Sequence, residues 1–203
     1  MRLEAPFVFP VAVFDFSEFL EHARAGFTDA ALNTLPDTGG HSTNLVDYGS
    51  AFWVPNTKNL GTGPVADALH DKLLASAGEF LLATHRSLSN HTPVLKDYWL
   101  NEMVAGASHP DHSHYVGALS GCFYIDMPDN SGGITFTSPR CRYDAQMIPI
   151  AQYTPYNSRT WKFDPQPGEV YIWESWLTHG VYPTTFDGVR RSAAFDIVLK
   201  ENT

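Results

Sequence analysis

The second half of the chain is a series of short apolar segments separated by turn-forming residues, and this pattern restricts the fold more than any other feature. Helical periodicity stops near residue 95. The β-type segments that follow lie at 96–105, 117–127, 133–137, 146–153, 159–164, 168–174, 179–184 and 191–199. Clusters of Pro, Gly, Asn and Asp separate them, as at 128–133 and 165–168. Strands of this length and spacing predict a β-sandwich or jelly roll.

Residues before 95 have a mixed, partly helical pattern. The segments are β-leaning runs at 7–14 and 44–54, a helix at 17–26, a loop at 27–43 and a longer helix at 64–89. Ser17 suits the start of the first helix and Gly26 its end, and Pro64 suits the first position of the second helix. Because no linker or repeat divides the chain, we predict a single domain, 1–203, with the helices of 1–95 packed on one sheet.

Composition restricts the classes of partner. Hydrophobic residues make up 43% of the 203 positions, which is enough for a substantial core. The net charge is −9 and the basic residues are scattered, so a nucleic-acid partner is not expected. No apolar run approaches the roughly 18 residues of a membrane span. Cys122 and Cys141 form no C-x-x-C pair, which predicts free thiols and a cytoplasmic location.

A cluster of imidazole and carboxylate side chains lies just before the segment at 117–127. Side chains two apart on a strand share a face, so His112 pairs with His114, and His109 pairs with Asp111. The second pair plus one more histidine would make the two-histidine, one-carboxylate set that is typical of non-haem Fe(II). The first pair would make a set of three imidazoles, which also suits zinc. Both pairs are candidates on this evidence.

Two further polar positions lie near the end of the chain. His179 begins the segment at 179–184, and Arg190 and Ser192 lie two apart at the start of the last segment. An arginine fork beside a hydroxyl suits a carboxylate ligand. Arg191 is expected on the opposite face. The alternative for Arg190 is a structural ion pair with an Asp or Glu side chain.

Together these blocks resemble the Fe(II)- and 2-oxoglutarate-dependent oxygenases, and most closely a small branch of them. The resemblance covers about residues 97 to 198. The matching residues are Gly106, His112-Ser113-His114, Leu119-Ser120-Gly121 with Tyr124, Pro165-Gln166-Pro167-Gly168, Trp176-Leu177-Thr178-His179 and Arg190-Arg191-Ser192. Each block alone is weakly specific, but the order and spacing of the blocks together are fairly specific.

The resemblance implies a fold and a metal site. The fold is a double-stranded β-helix, a cupin-like jelly roll, over 96–200. The Fe(II) ligands would be His112, His114 and His179. Most members of the family have H-x-D or H-x-E where this chain has His112-Ser113-His114, so a histidine would stand in the carboxylate position.

The resemblance also implies a co-substrate site and a reaction. Arg190, assisted by Ser192, would bind the distal carboxylate of 2-oxoglutarate, and Tyr124 would be a further hydrogen-bond donor. The reaction would be a hydroxylation coupled to the release of succinate and CO2. The expected substrate is a small molecule or a peptide, and the sequence does not indicate which one. A homodimer is one option for the oligomeric state, which the sequence leaves open.

The cavity walls and the alternative functions complete the expectations. Candidate wall residues are Asn101, Tyr115, Ser120, Trp173 and Trp176, although core packing is the better interpretation of the two tryptophans. One alternative is a cupin-like metal protein without 2-oxoglutarate, either a dioxygenase or an isomerase. Another is a ligand-binding sandwich without enzymatic activity.

Overall fold

The computed structural model describes residues 9–33, 52–55, 63–115, 117–139 and 149–202. The helices are α1 (Leu20–Asn33), which follows a 3-10 turn at Ser17–Phe19, and α2 (Pro64–Ala83). The strands are β1 (Val11–Asp15), β2 (Phe52–Pro55), β3 (His91–Met103), β4 (His109–His112), β5 (Leu119–Asp126), β6 (Ile134–Thr137), β7 (Thr160–Phe163), β8 (Glu169–Glu174), β9 (His179–Val181) and β10 (Arg190–Glu201).

The strands form two antiparallel sheets. The larger sheet has six strands in the order β1-β8-β5-β10-β3-β2, and the smaller has four in the order β4-β9-β6-β7. Strands that are neighbours in space are therefore mostly distant in sequence, as in a jelly roll. The predicted mainly β fold with N-terminal helices, a double-stranded β-helix, is confirmed.

Side chains of the six-stranded sheet alternate between two environments. On the outer face, residues such as Phe123, Ile172 and Phe195 pack with Leu73 and Phe80 of α2 in one buried cluster. Each such side chain contributes about 1.5–3 kcal/mol through burial. The inner face contributes to a second, smaller cluster between the sheets, made of Cys122, Tyr124, Ile134, Phe136, Tyr171, Trp173 and Leu177. The polar residues of the inner face are described below.

The helix boundaries differ from the sequence prediction. The first helix continues through Gly26 to Asn33, because one glycine inside a helix costs only about 1 kcal/mol. The second helix ends at Ala83 rather than near residue 89. His85 has a positive φ of 56°, and the amide of Arg86 donates to the carbonyl of Leu81. This Schellman-type arrangement ends the helix, and a sequence without Gly at that position does not reveal it.

The structure shows no strand in the described residues of one segment that was predicted to be a strand. Residues 149–153 of the segment predicted at 146–153 contain no strand. Residues 44–51 of the other β-leaning segment lie outside the described residues, as does Cys141. Cys122 is a buried free thiol. Neither helix in the described ranges has the length and apolarity that a membrane crossing requires.

Candidate active site

Three histidines converge between the two sheets. His112 on β4 and His179 on β9 are directly paired across the four-stranded sheet. His114 follows β4 by two residues, and its amide donates to the carbonyl of Ser175 at 2.9 Å. One ring nitrogen from each of the three lies within 4.8 Å of the others, close enough to share one metal ion. The structure thus brings together the H-x-H pair and His179.

Backbone contacts fix the orientation of two of these rings. His112 Nδ1 is 2.8 Å from the carbonyl oxygen of Pro110, and His179 Nδ1 is 2.9 Å from that of Leu177. A carbonyl oxygen only accepts, so each Nδ1 carries the hydrogen and donates. The Nε2 lone pair of each ring is then free to bind a cation.

The third ring has a different partner. His114 Nδ1 is 2.6 Å from Oδ1 of Asp196, a residue of β10 in the opposite sheet. The hydroxyl of Ser120 donates to the same carboxylate oxygen at 2.6 Å. Both Asp196 and Ser120 are buried. This contact connects the histidine cluster to the six-stranded sheet.

Burial favours the neutral form of His109, His112 and His179. Burial, followed by repulsion from His112, lowers the pKa of His179 to about 3 from its ordinary value of 6.5. For the same two reasons the pKa of His109 falls to about 4, and burial also lowers the pKa of His112. Neutral imidazoles have the lone pair that a metal ion requires.

The second candidate pair does not stay together. The Asp111 side chain is exposed on the surface, and its Oδ2 accepts a hydrogen bond from Thr137 at 2.8 Å. His109 instead lines the cavity, with its ring centroid 4.7 Å from that of His112. Strict alternation, which assigned His109 and Asp111 to one face, is wrong here because the β4–β9 pairing shifts its register between His109 and His112.

Arg190 is buried in the same cavity without an acidic partner. It is 3% exposed, and its guanidinium donates to the sulfur of Met103 at 3.0 Å and faces the Tyr124 ring at 5.5 Å. No Asp or Glu of the described residues lies within ion-pair distance of it, and its Nε has no hydrogen-bond partner there. The ion pair that was the alternative interpretation of Arg190 is therefore absent from the described part of the chain. A buried guanidinium of this kind requires an anion.

The cavity connects the histidines to Arg190. Its walls are Trp99, Asn101, Met103, His109, His112, His114, Ser120, Gly121, Cys122, Tyr124, Ile134, Trp173, His179, Gly180, Val181, Arg190, Ser192 and Ala194. Three of the five predicted wall residues are among them. The other two are not, since Tyr115 is 93% exposed and Trp176 is 45% exposed.

Two cavity residues on the inner face have unusual polar groups. Trp173 is 2% exposed, and its indole Nε1 has no hydrogen-bond partner among the described residues. Tyr124 is fully buried, and burial raises the pKa of its phenol well above the usual value, so the phenol stays neutral and retains its O–H group. Together with Arg190, these donors make the inner face suited to a ligand rich in oxygen atoms.

Asp196 is the site residue that sequence reasoning missed. A signal was present, because Asp196 interrupts an apolar run and lies six positions after Arg190. An even offset along a strand means the same face. The inner face of β10 thus carries Arg190, Ser192, Ala194 and Asp196, all lining or bordering the histidine cluster.

Comparisons with known proteins agree with this fold. Residues 97–196 match the family described as "Putative 2OG-Fe(II) oxygenase". The curated proteins include no significant sequence match. The chain belongs to the 2OG-Fe(II) oxygenase superfamily and is an enzyme of that class.

Solved structures with a similar fold belong to proteins with different activities. AviO1 from Streptomyces viridochromogenes Tue57 has 16% identity and a TM-score of 0.61, covering 94% of this chain and 90% of its own. A Pseudomonas putida prolyl-4-hydroxylase has 12% identity and a TM-score of 0.57, covering 96% and 94%. SnoN, an epimerase of nogalamycin biosynthesis, has 13% identity and a TM-score of 0.66, covering 96% and 79%. At these identities the likeness establishes the fold alone.

Fe(II) and 2-oxoglutarate, the cofactor and co-substrate of this superfamily, fit the residues that are present. Three convergent imidazoles form a donor set that suits a first-row divalent metal ion. The unpartnered Nε of buried Arg190 suits a carboxylate at the other end of the cavity. A dicarboxylate that also binds the metal would meet both requirements.

Proposed function

We propose that this protein is an Fe(II)- and 2-oxoglutarate-dependent dioxygenase that hydroxylates an organic substrate and releases succinate and CO2. The observation that supports it most is the buried Arg190 without an acidic partner in the described residues, in one cavity with three convergent histidines. A metal-binding sandwich without a dicarboxylate ligand has no use for an uncompensated buried guanidinium, whose burial is costly.

In this proposal His112, His114 and His179 hold the metal ion through their Nε2 atoms. The bound Fe(II) supplies the activation of oxygen that is coupled to decarboxylation of 2-oxoglutarate. Burial lowers the pKa of His112 and His179, and Nδ1 hydrogen bonds fix all three rings. Three protein ligands leave the remaining coordination positions open for the co-substrate and oxygen.

Arg190 anchors the far carboxylate of 2-oxoglutarate. Ser192, which is 2% exposed and lies two residues further on the same face, adds a hydroxyl donor, and the neutral Tyr124 phenol adds another. These groups hold the co-substrate in one orientation, and the apolar rings around them exclude water.

The proposed substrate is a small molecule or a peptide. Proteins of similar fold include a prolyl-4-hydroxylase and an epimerase of nogalamycin biosynthesis, so the fold accommodates both classes. The net charge of −9 disfavours nucleic acid. A cytoplasmic location is part of the proposal, and the buried free thiol of Cys122 supports it. A homodimer is one option for the oligomeric state, which stays open.

An anaerobic titration tests the proposed function. The full chain is titrated with Fe(II) and then with 2-oxoglutarate, and the visible metal-to-ligand charge-transfer band of the chelate is recorded. We expect the band with the wild-type protein and with the control His70→Ala, whose side chain is exposed on α2. We expect no band with His179→Ala, because one of the three metal ligands is missing.

Two outcomes would contradict the proposal. Absence of the band from the wild-type protein would exclude the Fe(II)·2-oxoglutarate site. Metal binding that is insensitive to 2-oxoglutarate, with Arg190→Met behaving as wild type, would favour the cupin-like alternative instead.

A further inference from the structure

The carboxylate of Asp196 contacts Nδ1 of His114, one of the three converging histidines. Its Oδ1 is 2.6 Å from Nδ1 of His114, a short distance that is typical of a hydrogen bond to a charged acceptor. With Nδ1 engaged in this way, Nε2 is the nitrogen of His114 that remains for a metal ion. The arrangement is the carboxylate–histidine–metal relay seen in many metal sites.

Apart from His114, Asp196 has no cationic partner among the described residues. It is only 7% exposed, and neither Lys nor Arg in those ranges lies within ion-pair distance of its carboxylate. Burial of a carboxylate is costly unless a cation compensates it. His114, together with an ion on the far side of its ring, is the compensation that the structure offers.

The three histidines are not equivalent in this respect. His112 and His179 donate Nδ1–H to backbone carbonyl groups, which carry no net charge. Of the three, only His114 contacts a carboxylate of the described residues. The carboxylate therefore contacts His114, the histidine that occupies the position of the acidic ligand in the commoner H-x-D pattern.

We propose that Asp196 is a positioning residue that orients His114 and, through the hydrogen bond to Nδ1, supplies the negative charge that three imidazole ligands lack. The inference rests on the proposed metal site and deepens it. A hydrogen-bonded carboxylate makes imidazole a stronger donor. The set of three histidines plus Asp196 then has the same net charge as two histidines and one carboxylate.

Ser120 holds the carboxylate in this position. Its hydroxyl donates to Asp196 Oδ1 at 2.6 Å, lies 3.2 Å from His114 Nδ1, and is 2.9 Å from the hydroxyl of Ser175. Ser120 is 1% exposed, so water does not replace these contacts. Removal of the hydroxyl would loosen the Asp196–His114 contact without removing its charge.

Asp196→Asn tests the inference, because it keeps the shape and an acceptor oxygen while it removes the charge. Fe(II) affinity is measured anaerobically by competition with a coloured chelator, and the charge-transfer band is recorded with 2-oxoglutarate. We expect Fe(II) affinity to fall by about 10- to 100-fold. We also expect the band to move to shorter wavelength, since a less electron-rich metal transfers an electron to the co-substrate at higher energy.

Asp126→Asn is the matched control. Asp126 is also a partly buried aspartate of the six-stranded sheet, but it contacts Arg24 and Arg191 rather than a histidine. The control removes the same charge, so its Fe(II) affinity and band should equal those of the wild type. A purely structural role for Asp196 would lower the melting temperature and leave the band unmoved.

The outcomes separate this inference from the proposed function. A wild-type protein that binds no Fe(II) overturns both. A wild-type protein that binds Fe(II), beside an Asp196→Asn variant with unchanged affinity and band, overturns only the role of Asp196. If Asp196→Asn does not fold, Ser120→Ala carries the test. We expect a smaller shift of the band in the same direction, and an unmoved band would overturn the inference.

Discussion

Arg190 and Arg191 are neighbours in the chain but lie in opposite environments. Arg191, on the outer face of β10, donates to Glu102 at 2.6 Å and to Asp126 at 3.2 Å, and Asp126 also accepts from Arg24 of α1. Arg190, on the inner face, is buried and has no carboxylate partner in the described residues. One strand thus carries a satisfied arginine and an unsatisfied one at adjacent positions.

The same contrast holds along the whole strand. Outer-face residues such as Ala193, Phe195 and Ile197 are fully buried against the helices and serve stability. The inner face carries the polar residues Arg190, Ser192 and Asp196, which line or border the histidine cluster. The lesson is that unsatisfied polar groups, rather than buried ones in general, distinguish the site from the core.

Truncation of the outer face should have the largest effect on stability. Phe195 is fully buried, and its ring packs against Gly121 of β5 so closely that a Cβ there would lie 2.2 Å from it. Phe195→Ala should lower the free energy of unfolding by about 3–5 kcal/mol, as measured by urea denaturation. Fe(II) binding by the fraction that folds should be unchanged. Weakened Fe(II) binding in that fraction would mean that the two faces of β10 are coupled.

Replacement of Arg190 should affect binding and stability in different directions. Arg190→Met should weaken 2-oxoglutarate binding by about 2–4 kcal/mol, roughly 30- to 1,000-fold in Kd, as measured by anaerobic calorimetry. The free energy of unfolding of the ligand-free protein should stay the same or rise, because a buried and uncompensated charge is removed. A large loss of stability would indicate that Arg190 has a structural partner after all.

Arg191→Met is the matched variant at the next position. It should lower stability and leave 2-oxoglutarate binding unchanged. Loss of the contacts with Glu102 and Asp126 should cost no more than about 1 kcal/mol, since the Arg191 side chain is 38% exposed and water screens its ion pairs. The loss should shrink at high salt, and the Kd for 2-oxoglutarate should be that of the wild type. Weaker 2-oxoglutarate binding in Arg191→Met would remove the distinction between the two arginines.

The smallest effect is expected for Asp111→Ala. This change removes one hydrogen bond with Thr137 and should cost only about 0.5 kcal/mol of stability, the low end for one hydrogen bond, because the pair is exposed to water. Fe(II) affinity, measured by chelator competition, should be the same as in the wild type. A collapse of Fe(II) affinity would instead identify Asp111 as a ligand and would reverse the choice between the H-x-H and H-x-D pairs.

Much of the fold could be predicted because its pattern is local. The strands after residue 115 lie within a few residues of their predicted positions, apart from the segment predicted at 146–153, whose described residues contain no strand. Alternation along β10 correctly assigned Arg190 and Ser192 to one face and Arg191 to the other. Helix ends were less predictable, because tertiary packing and the backbone conformation of His85 decide them.

Several features of the site depend on contacts between distant parts of the chain. The register shift in β4 turns His109 into the cavity, and it arises from the pairing with β9, about 70 positions later in the numbering. Asp196 meets His114 only because β10 lies in the sheet that faces β4. Neither pairing can be read from local periodicity, since each joins segments that are far apart in sequence.

The sequence by itself determined the alternation of strands, the H-x-H motif and the even spacing of Arg190 and Ser192, because these depend only on the two-residue repeat of a strand. The tertiary structure decided which nitrogen atoms converge and which charges remain uncompensated. Both outcomes depend on how the two sheets face each other. It is that packing which leaves Arg190 without a carboxylate in the described chain and gives one to His114.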